Sequence, residues 1–205
     1  ANGFYIPRFR NIGKDKRDYL RGFGYQGGGS RQGWGSLVAE MAIGEDLKKM
    51  AATPGKWTIG MMGFGEILPN HENFVVINKD KKDIHGLPTL TFDTNLKENE
   101  FKMRVDMKAD AAEMLEAAGV KNIYTYDNVT GIGLGIHEMG TARMGKDPKT
   151  SVLNKWNQVH ASKNVFVTDG SFMTSAGCQN PSLTYMAFTA RAVDYAVSEL
   201  KKGNL

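Results

Sequence analysis

Residues 56–94 read KWTIGMMGFGEILPNHENFVVINKDKKDIHGLPTLTFDT, and this stretch decides the predicted fold. Apolar residues alternate with polar or small ones at about 56–68, 73–78 and 87–94, which is the two-residue period of a half-buried strand. The charged turn KDKKDIHG joins the last two runs. We therefore predict strands of an antiparallel sheet, with a hairpin over 73–94.

Helical periodicity flanks these strands on both sides. We predict a helix interrupted at Gly44 over 36–52, and an amphipathic helix over 98–118 that stops at Gly119. Strands are expected at 121–127 and 165–167. A terminal helix is expected over 181–201, with a packed apolar face formed by Leu183, Met186, Ala187, Ala190, Val193, Ala196, Val197 and Leu200. The fold class is thus α+β, an antiparallel or mixed sheet with helices.

Composition excludes several classes of function. The 26 basic residues are scattered among 22 acidic ones, for a net charge of +4, without the basic stripe that nucleic-acid binding requires. No apolar run approaches the length of a membrane span. No secretion signal is visible, and this carries no conclusion about export. One cysteine and four histidines give no metal-ligand spacing, so no metal site is predicted. Cys178 is expected to be a small buried residue.

Residues 22–27 match the G-x-G-x-x-G pattern of dinucleotide-binding turns, as GFGYQG. Such a turn must follow a buried strand and open a helix. Here a charged stretch precedes the pattern, and more glycine and polar residues follow it. We interpret the segment as a flexible loop, although a nicotinamide-dependent enzyme built on it stays an alternative.

Two polar blocks in the last third of the chain carry the chemistry. They are IHEMGTARMG, which contains His137, and GCQNPSLTYMAFTARA, which contains Asn180. An imidazole near neutrality can accept the proton of a substrate hydroxyl, and a neighbouring amide can donate a hydrogen bond to the same oxygen. Taken alone, a histidine beside glycines is more often a structural hydrogen-bonding residue than a base, and Asn180 before Pro181 also fits an ordinary helix N-cap.

The two blocks resemble the C-terminal signature of the glucose-methanol-choline (GMC) family of FAD-dependent oxidoreductases. The resemblance implies that His137 is the catalytic base and that Asn180 positions the substrate oxygen. It also implies FAD contacts at Asp169, Gly170, Asn180, Pro181 and Thr184, although Asp-Gly by itself is most often a turn.

The resemblance further implies two parts of a larger fold. Residues 1–130 correspond to part of a substrate-binding domain, and residues 131–205 to the C-terminal strand and helix of an FAD-binding α/β domain. The Gly-rich βαβ unit that holds the FAD pyrophosphate has no counterpart here, so the chain by itself is expected to be inactive.

The spelling of the motifs is similar to bacterial glucoside 3-dehydrogenases and other sugar or polyol dehydrogenases. This implies oxidation of a sugar or polyol C–OH group, an electron acceptor such as a cytochrome, and a periplasmic location in preference to a cytoplasmic one. A non-catalytic sugar-binding or interaction module that kept the fold stays the alternative function.

Overall fold

The computed structural model describes residues 2–31, 43–127 and 132–205. These residues form five strands and three α-helices, in the order β1 (Asn2–Ile6), β2 (Phe23–Arg31), α1 (Gly44–Ala52), β3 (Trp57–Gly65), β4 (Phe74–Lys82), β5 (Pro88–Asp93), α2 (Glu98–Ala117) and α3 (Ser182–Lys201). The predicted α+β class is confirmed. Part of the predicted helix at 36–52 lies outside the described residues.

The strands form two antiparallel sheets. The larger has the order β1-β2-β3, and the smaller is the β4-β5 hairpin, as predicted for 73–94. In the larger sheet Phe23 pairs with Gly65 and Arg31 with Trp57, so β2 is bonded along its whole length to β3. Residues 22–27, predicted to be a loop, thus belong almost entirely to a central strand, which rules out a phosphate-binding turn there.

The larger sheet carries the apolar core on the face that α2 covers. Tyr19, Phe23, Tyr25 and Met103 are buried together. Close approach of the helix depends on glycine in β3, because a Cβ at Gly65 would lie 2.5 Å from Met103 Sδ. The phenolic hydroxyl of Tyr25 donates to the Met107 carbonyl at 2.6 Å, which leaves its buried oxygen satisfied.

The region from 132 to 180 has little regular structure and is held by isolated bridges and side-chain bonds. Within the described residues, the predicted strand at 165–167 has one bridge, which joins Phe166 to Gln158. Backbone hydrogen bonds flank this bridge, from Val159 N–H to the Val165 carbonyl and from Val167 N–H to the Asn157 carbonyl, both at 2.9 Å. Side-chain amides add to them: Asn157 Nδ2 donates to the Val167 carbonyl at 2.9 Å, and Gln158 Nε2 to that of Lys163 at 2.6 Å. The predicted strand is therefore a short pairing of residues 165–167 with 157–159, reinforced by side-chain amides.

The predicted strand at 121–127 is also wrong. This segment follows α2 as irregular chain, and Asp127 accepts a hydrogen bond from Arg104 Nε of that helix at 3.0 Å. Tyr124 and Tyr126 are exposed. The alternation of apolar residues is present, but the segment pairs with a helix side chain and not with a strand.

The terminal helix α3 packs through a different face from the predicted one. Phe172 stacks on Phe188 with ring centroids 4.8 Å apart, Trp156 stacks on Tyr195 at the same distance, and Ala192 is buried between these two contacts along the helix. The predicted face is exposed, with Leu183 at 78% and Met186 at 68%. The sequence contains two apolar stripes at helical spacing, and periodicity alone does not distinguish them.

No helix in the described ranges has both the length and the apolar character needed to cross a membrane.

Candidate active site

His137 lies in an irregular segment, 132–145, and its side chain is half-buried. The residue before it, Ile136, adopts a left-handed backbone with φ of 55°, and Gly140 has φ of 92°. The carboxylate of Glu138 accepts a hydrogen bond from the Gly135 backbone at 2.9 Å, which closes a turn around the histidine. The segment is therefore bent sharply on both sides of His137.

The same segment is bonded to residues 170–173. The backbone N–H of Ala142 donates to the Ser171 carbonyl at 3.0 Å, and that of Met144 to the Phe172 carbonyl at 2.9 Å. Since Phe172 is buried under α3, these bonds hold the segment that carries His137 against the start of that helix.

Asp169 and Gly170 begin a short 3-10 helix, Gly170–Phe172. The Asp169 side chain accepts a hydrogen bond from the Ser171 backbone at 2.9 Å, so the Asp-Gly pair is a capped turn. A Cβ at Gly170 would lie 2.6 Å from the Tyr185 hydroxyl and 3.1 Å from the Glu138 carbonyl oxygen. Gly170 is thus required because Tyr185 and the Glu138 backbone occupy the adjacent space.

Tyr185 lies beside Gly170, and its ring packs edge-on against that of Phe172, with centroids 6.3 Å apart. Burial raises the pKa of Tyr185, and the nearby carboxylates of Asp169 and Glu138 raise it further. Both effects favour the protonated hydroxyl of Tyr185. Sequence reasoning did not single it out, although it follows Thr184 directly in the second polar block.

Asn180 and Pro181 precede α3, and Thr184 lies in its first turn. Pro181 occupies the N-cap position, and no side chain caps the helix there. Asn180 therefore lies one residue outside the cap, and the alternative interpretation of Asn180 as an N-cap is wrong. Its exposed carboxamide is available for another contact.

That contact is with β2. The Asn180 and Gln26 carboxamides face each other, with Asn180 Nδ2 donating to Gln26 Oε1 at 3.3 Å and Gln26 Nε2 donating to Asn180 Oδ1 at 3.4 Å. Gln26 was hidden from sequence reasoning inside the glycine-rich run 22–29. Nothing in that run signals a partner 154 residues away.

A cavity of about 330 Å³ lies beside the residues that lead to Asn180. Arg8, Arg21 and Glu66, which lie just outside the ends of β1, β2 and β3, line it together with Cys178 and Gln179. Cys178 is buried, as expected. Glu66 is 8% exposed, and its Oε1 has no hydrogen-bond partner among the described residues. Burial raises the pKa of Glu66, against the opposing charges of Arg21 and Arg8.

The structure thus gathers Asp169, Gly170 and the His137 segment around the start of α3, and sets Asn180 against β2. Among the described residues, no hydrogen bond joins the imidazole of His137 to Asn180. The other histidine of this region, His160, contacts the Ser151 hydroxyl at 3.1 Å. His160 therefore has a side-chain hydrogen-bond partner, whereas the imidazole of His137 has none among the described residues.

A sequence model for the family described as GMC oxidoreductase matches residues 69–189, more than half of the chain. The 2-methyl-1,2-propanediol dehydrogenase of Mycolicibacterium austroafricanum is 39% identical over 64% of this chain and 24% of its own length. The fructose dehydrogenase large subunit of Gluconobacter japonicus is 31% identical over 67% of this chain and 25% of its own. Paromamine 6'-oxidase of Streptomyces fradiae is 32% identical over 64% and 24%. The matches thus span about a quarter of each relative.

Proposed function

This chain belongs to the GMC oxidoreductase family, and we propose that it is the C-terminal part of an FAD-dependent enzyme that oxidises a sugar or polyol C–OH group to a carbonyl. In that reaction the substrate loses a hydride from carbon and a proton from oxygen. FAD supplies the hydride acceptor. The residues of this chain handle the proton and the position of the substrate.

His137 is the proposed acceptor of the hydroxyl proton. The neutral form of an imidazole has a free ring nitrogen that can take a proton as the C–H bond breaks. Its turn, closed by Glu138 on Gly135 and bonded to residues 170–173, fixes the backbone that carries the imidazole. A fixed base contributes by orientation as well as by basicity.

The observation that carries the proposal is the placement of Asn180. Its carboxamide is exposed, it does not cap α3, and it lies immediately before that helix. An amide has two N–H donors, and the contact with Gln26 uses one of them. The other donor can bond the substrate oxygen and stabilise the negative charge that develops on it.

The N-terminus of α3 fits a flavin. The first N–H groups of a helix have no intrahelical acceptor, and among the described residues no side-chain hydrogen bond caps them. They form a region of positive potential that favours an electron-rich ring edge. We assign Asn180, Pro181 and Thr184 to this contact, and add the backbone of Asp169 and Gly170. The Cβ space at Gly170 is filled by protein, so the contact there is with its main chain.

The proposed substrate class is taken from the names of the similar proteins. Two of them are named for the dehydrogenation of a diol and of fructose, and a third for the oxidation of paromamine. A sugar or polyol is the class that this chain would take. An electron-accepting protein such as a cytochrome completes the proposed cycle.

The first test is the colour of the protein. A visible absorption spectrum is recorded for this chain and for the complete natural polypeptide, with and without a panel of sugars and diols. We expect flavin bands, bleached by substrate, in the complete protein only. Absence of flavin from both would contradict the proposal and favour a non-catalytic sugar-binding module.

The second test changes the two proposed residues in the complete protein. His137→Ala and Asn180→Ala should each lower turnover by about 10²-fold or more with flavin still bound, because they remove the base and the oxygen-binding donor. His71→Ala and Asn164→Ala, at exposed positions, are the matched controls. Near-normal turnover in both test variants would sink the assignment.

A further inference from the structure

The segment that leads to Asn180 lies along β2 in register. A Cβ built on Gly24 would be 3.3 Å from Cys178 Sγ, and the carboxamide of Gln26, two residues further on, meets that of Asn180. The two contacts, Gly24 with Cys178 and Gln26 with Asn180, are thus two residues apart along both chain segments. Because side chains two apart on a strand point to the same face, Cys178 and Asn180 lie against one face of β2.

This register depends on the absence of a side chain at Gly24. A Cβ there would also lie 2.8 Å from the Ile6 carbonyl oxygen, so the space on that face is closed by β1 on one side and by Cys178 on the other. Cys178 is 8% exposed. The buried thiol of Cys178 thus packs the segment against β2 at Gly24. The next contact on the same face of the strand is the one between Gln26 and Asn180.

The Gln26–Asn180 contact is reciprocal. Each carboxamide donates one N–H and accepts one, at 3.3 and 3.4 Å. A free asparagine side chain samples several rotamers and rotates about its terminal torsion. Two hydrogen bonds to a partner on a central strand hold the plane of the Asn180 carboxamide and leave one Nδ2 hydrogen uncommitted.

We infer that Gln26 is a positioning residue, which acts through Asn180 by holding its carboxamide in the plane and place that the reacting oxygen requires. The inference rests on the proposed function, since it gives Gln26 a role only if Asn180 binds the substrate oxygen. Through Gln26, strand β2 would thus help to orient the substrate, together with the segment around His137 and the start of α3.

A crystal structure of the complete flavoprotein carrying Gln26→Met tests the contact itself. Methionine has nearly the length of glutamine but no amide, so we expect the Asn180 carboxamide to leave its present position or to occupy more than one rotamer. Gln179→Met makes the same chemical change one residue before Asn180 and should leave the carboxamide in place. An Asn180 side chain unmoved by Gln26→Met would overturn the inference.

Kinetics of the same variants test the consequence. Gln26→Met should lower kcat about tenfold while KM changes less than about threefold, because misplacement of a positioned group acts mainly on the transition state. If Gln26 acts through Asn180, adding Gln26→Met to Asn180→Ala should lower kcat by less than about twofold further. Additive effects would show an independent role and overturn the inference. If Gln26→Met loses its flavin or melts early, Gln26→Leu replaces it.

The two levels of proposal fail differently. A large loss of turnover with Asn180→Ala, together with normal kcat in Gln26→Met, overturns the positioning role and leaves the proposed function intact. Normal turnover with Asn180→Ala overturns both.

Discussion

Two regions of this molecule are held together in different ways. The sheet region, which comprises β1, β2, β3 and α2, has continuous backbone ladders and an apolar core around Phe23 and Tyr25. The loop region, residues 132–180, has single bridges and buried amides such as Asn157, which is fully buried. Periodic apolar residues specify the first region, whereas individual polar side chains specify the second. The proposed base lies in the loop region, and Asn180 lies where the two regions meet.

The largest expected effect of a single change is in the core of the sheet region. Phe23 is completely buried, and its ring lies 5.5 Å from that of Tyr25 and 5.9 Å from that of Phe9. Phe23→Ala should lower the free energy of unfolding by about 3–5 kcal/mol, from lost burial and the cavity left behind. Urea denaturation measures the loss, and Phe74→Ala, at a half-exposed position, is the control. A loss below about 1 kcal/mol would contradict the assignment of this core.

A smaller loss is expected from a polar change in the loop region. Asn157→Ala removes the donor to the Val167 carbonyl and the acceptor for Arg191, which lies 3.3 Å from Asn157 Oδ1. It also places alanine at φ of 60°. We expect a loss of about 2–3 kcal/mol in the free energy of unfolding, from an unsatisfied carbonyl and an unfavourable backbone.

Hydrogen exchange read by mass spectrometry distinguishes the two regions in these variants. Asn157→Ala should accelerate exchange in the loop region and leave the β2–β3 ladder protected. The control Asn164→Ala, at an exposed position, should change exchange in neither region. Equal acceleration in both regions would show that they unfold as one unit, and the contrast drawn between them would be wrong.

The difference between the regions also explains which elements the sequence could predict. Strands near 57–65, 74–82 and 88–93 and the helix at 98–117 were predicted because alternating or helical apolar positions repeat over many residues. The segment 22–27 was misassigned because glycines conceal the period, although Phe23 and Tyr25 alternate toward the core. A glycine-rich strand supplies few side chains from which a period can be seen.

The loop region could not be derived from periodicity. Its capped turns at Asp169, its amide bonds and the pairing of Gln26 with Asn180 depend on contacts between distant or single residues, which leave no repeating pattern. Resemblance to a family supplied His137 and Asn180 as candidates. It did not supply Gln26 or Tyr185, which only the folded geometry brings to the site.

Glu66 lies at the boundary between the two regions. Its ionisation should destabilise the fold, whereas a carboxylate paired with a basic residue stabilises the fold when it ionises. Burial raises the pKa of Glu66, so the folded chain binds its proton more tightly than the unfolded chain does. Its contribution to stability is therefore complete at low pH and is lost as the pH rises above the ordinary glutamate value of about 4.3. Glu66→Gln cannot ionise. The variant should gain stability relative to the wild type as the pH rises above about 4.

Glu72→Gln is the matched control of opposite sign. Lys97 lowers the pKa of Glu72, so that carboxylate stabilises the fold above the ordinary glutamate value and the contribution is lost as the pH falls. Urea denaturation in a pH series measures both variants. If Glu66→Gln follows the same slope as Glu72→Gln, the carboxyl of Glu66 is not buried in solution.

The smallest expected effect tests the two apolar stripes of α3. Leu183 is 78% exposed, although helical spacing predicted that it would be packed. In this chain Leu183→Ser should change the free energy of unfolding by no more than about 0.5 kcal/mol, because little apolar surface is buried there. Phe188→Ser, on the face that stacks on Phe172, should cost several times more. A loss above about 1 kcal/mol from Leu183→Ser would mean that the exposed stripe is covered in solution, and would restore the face that periodicity predicted.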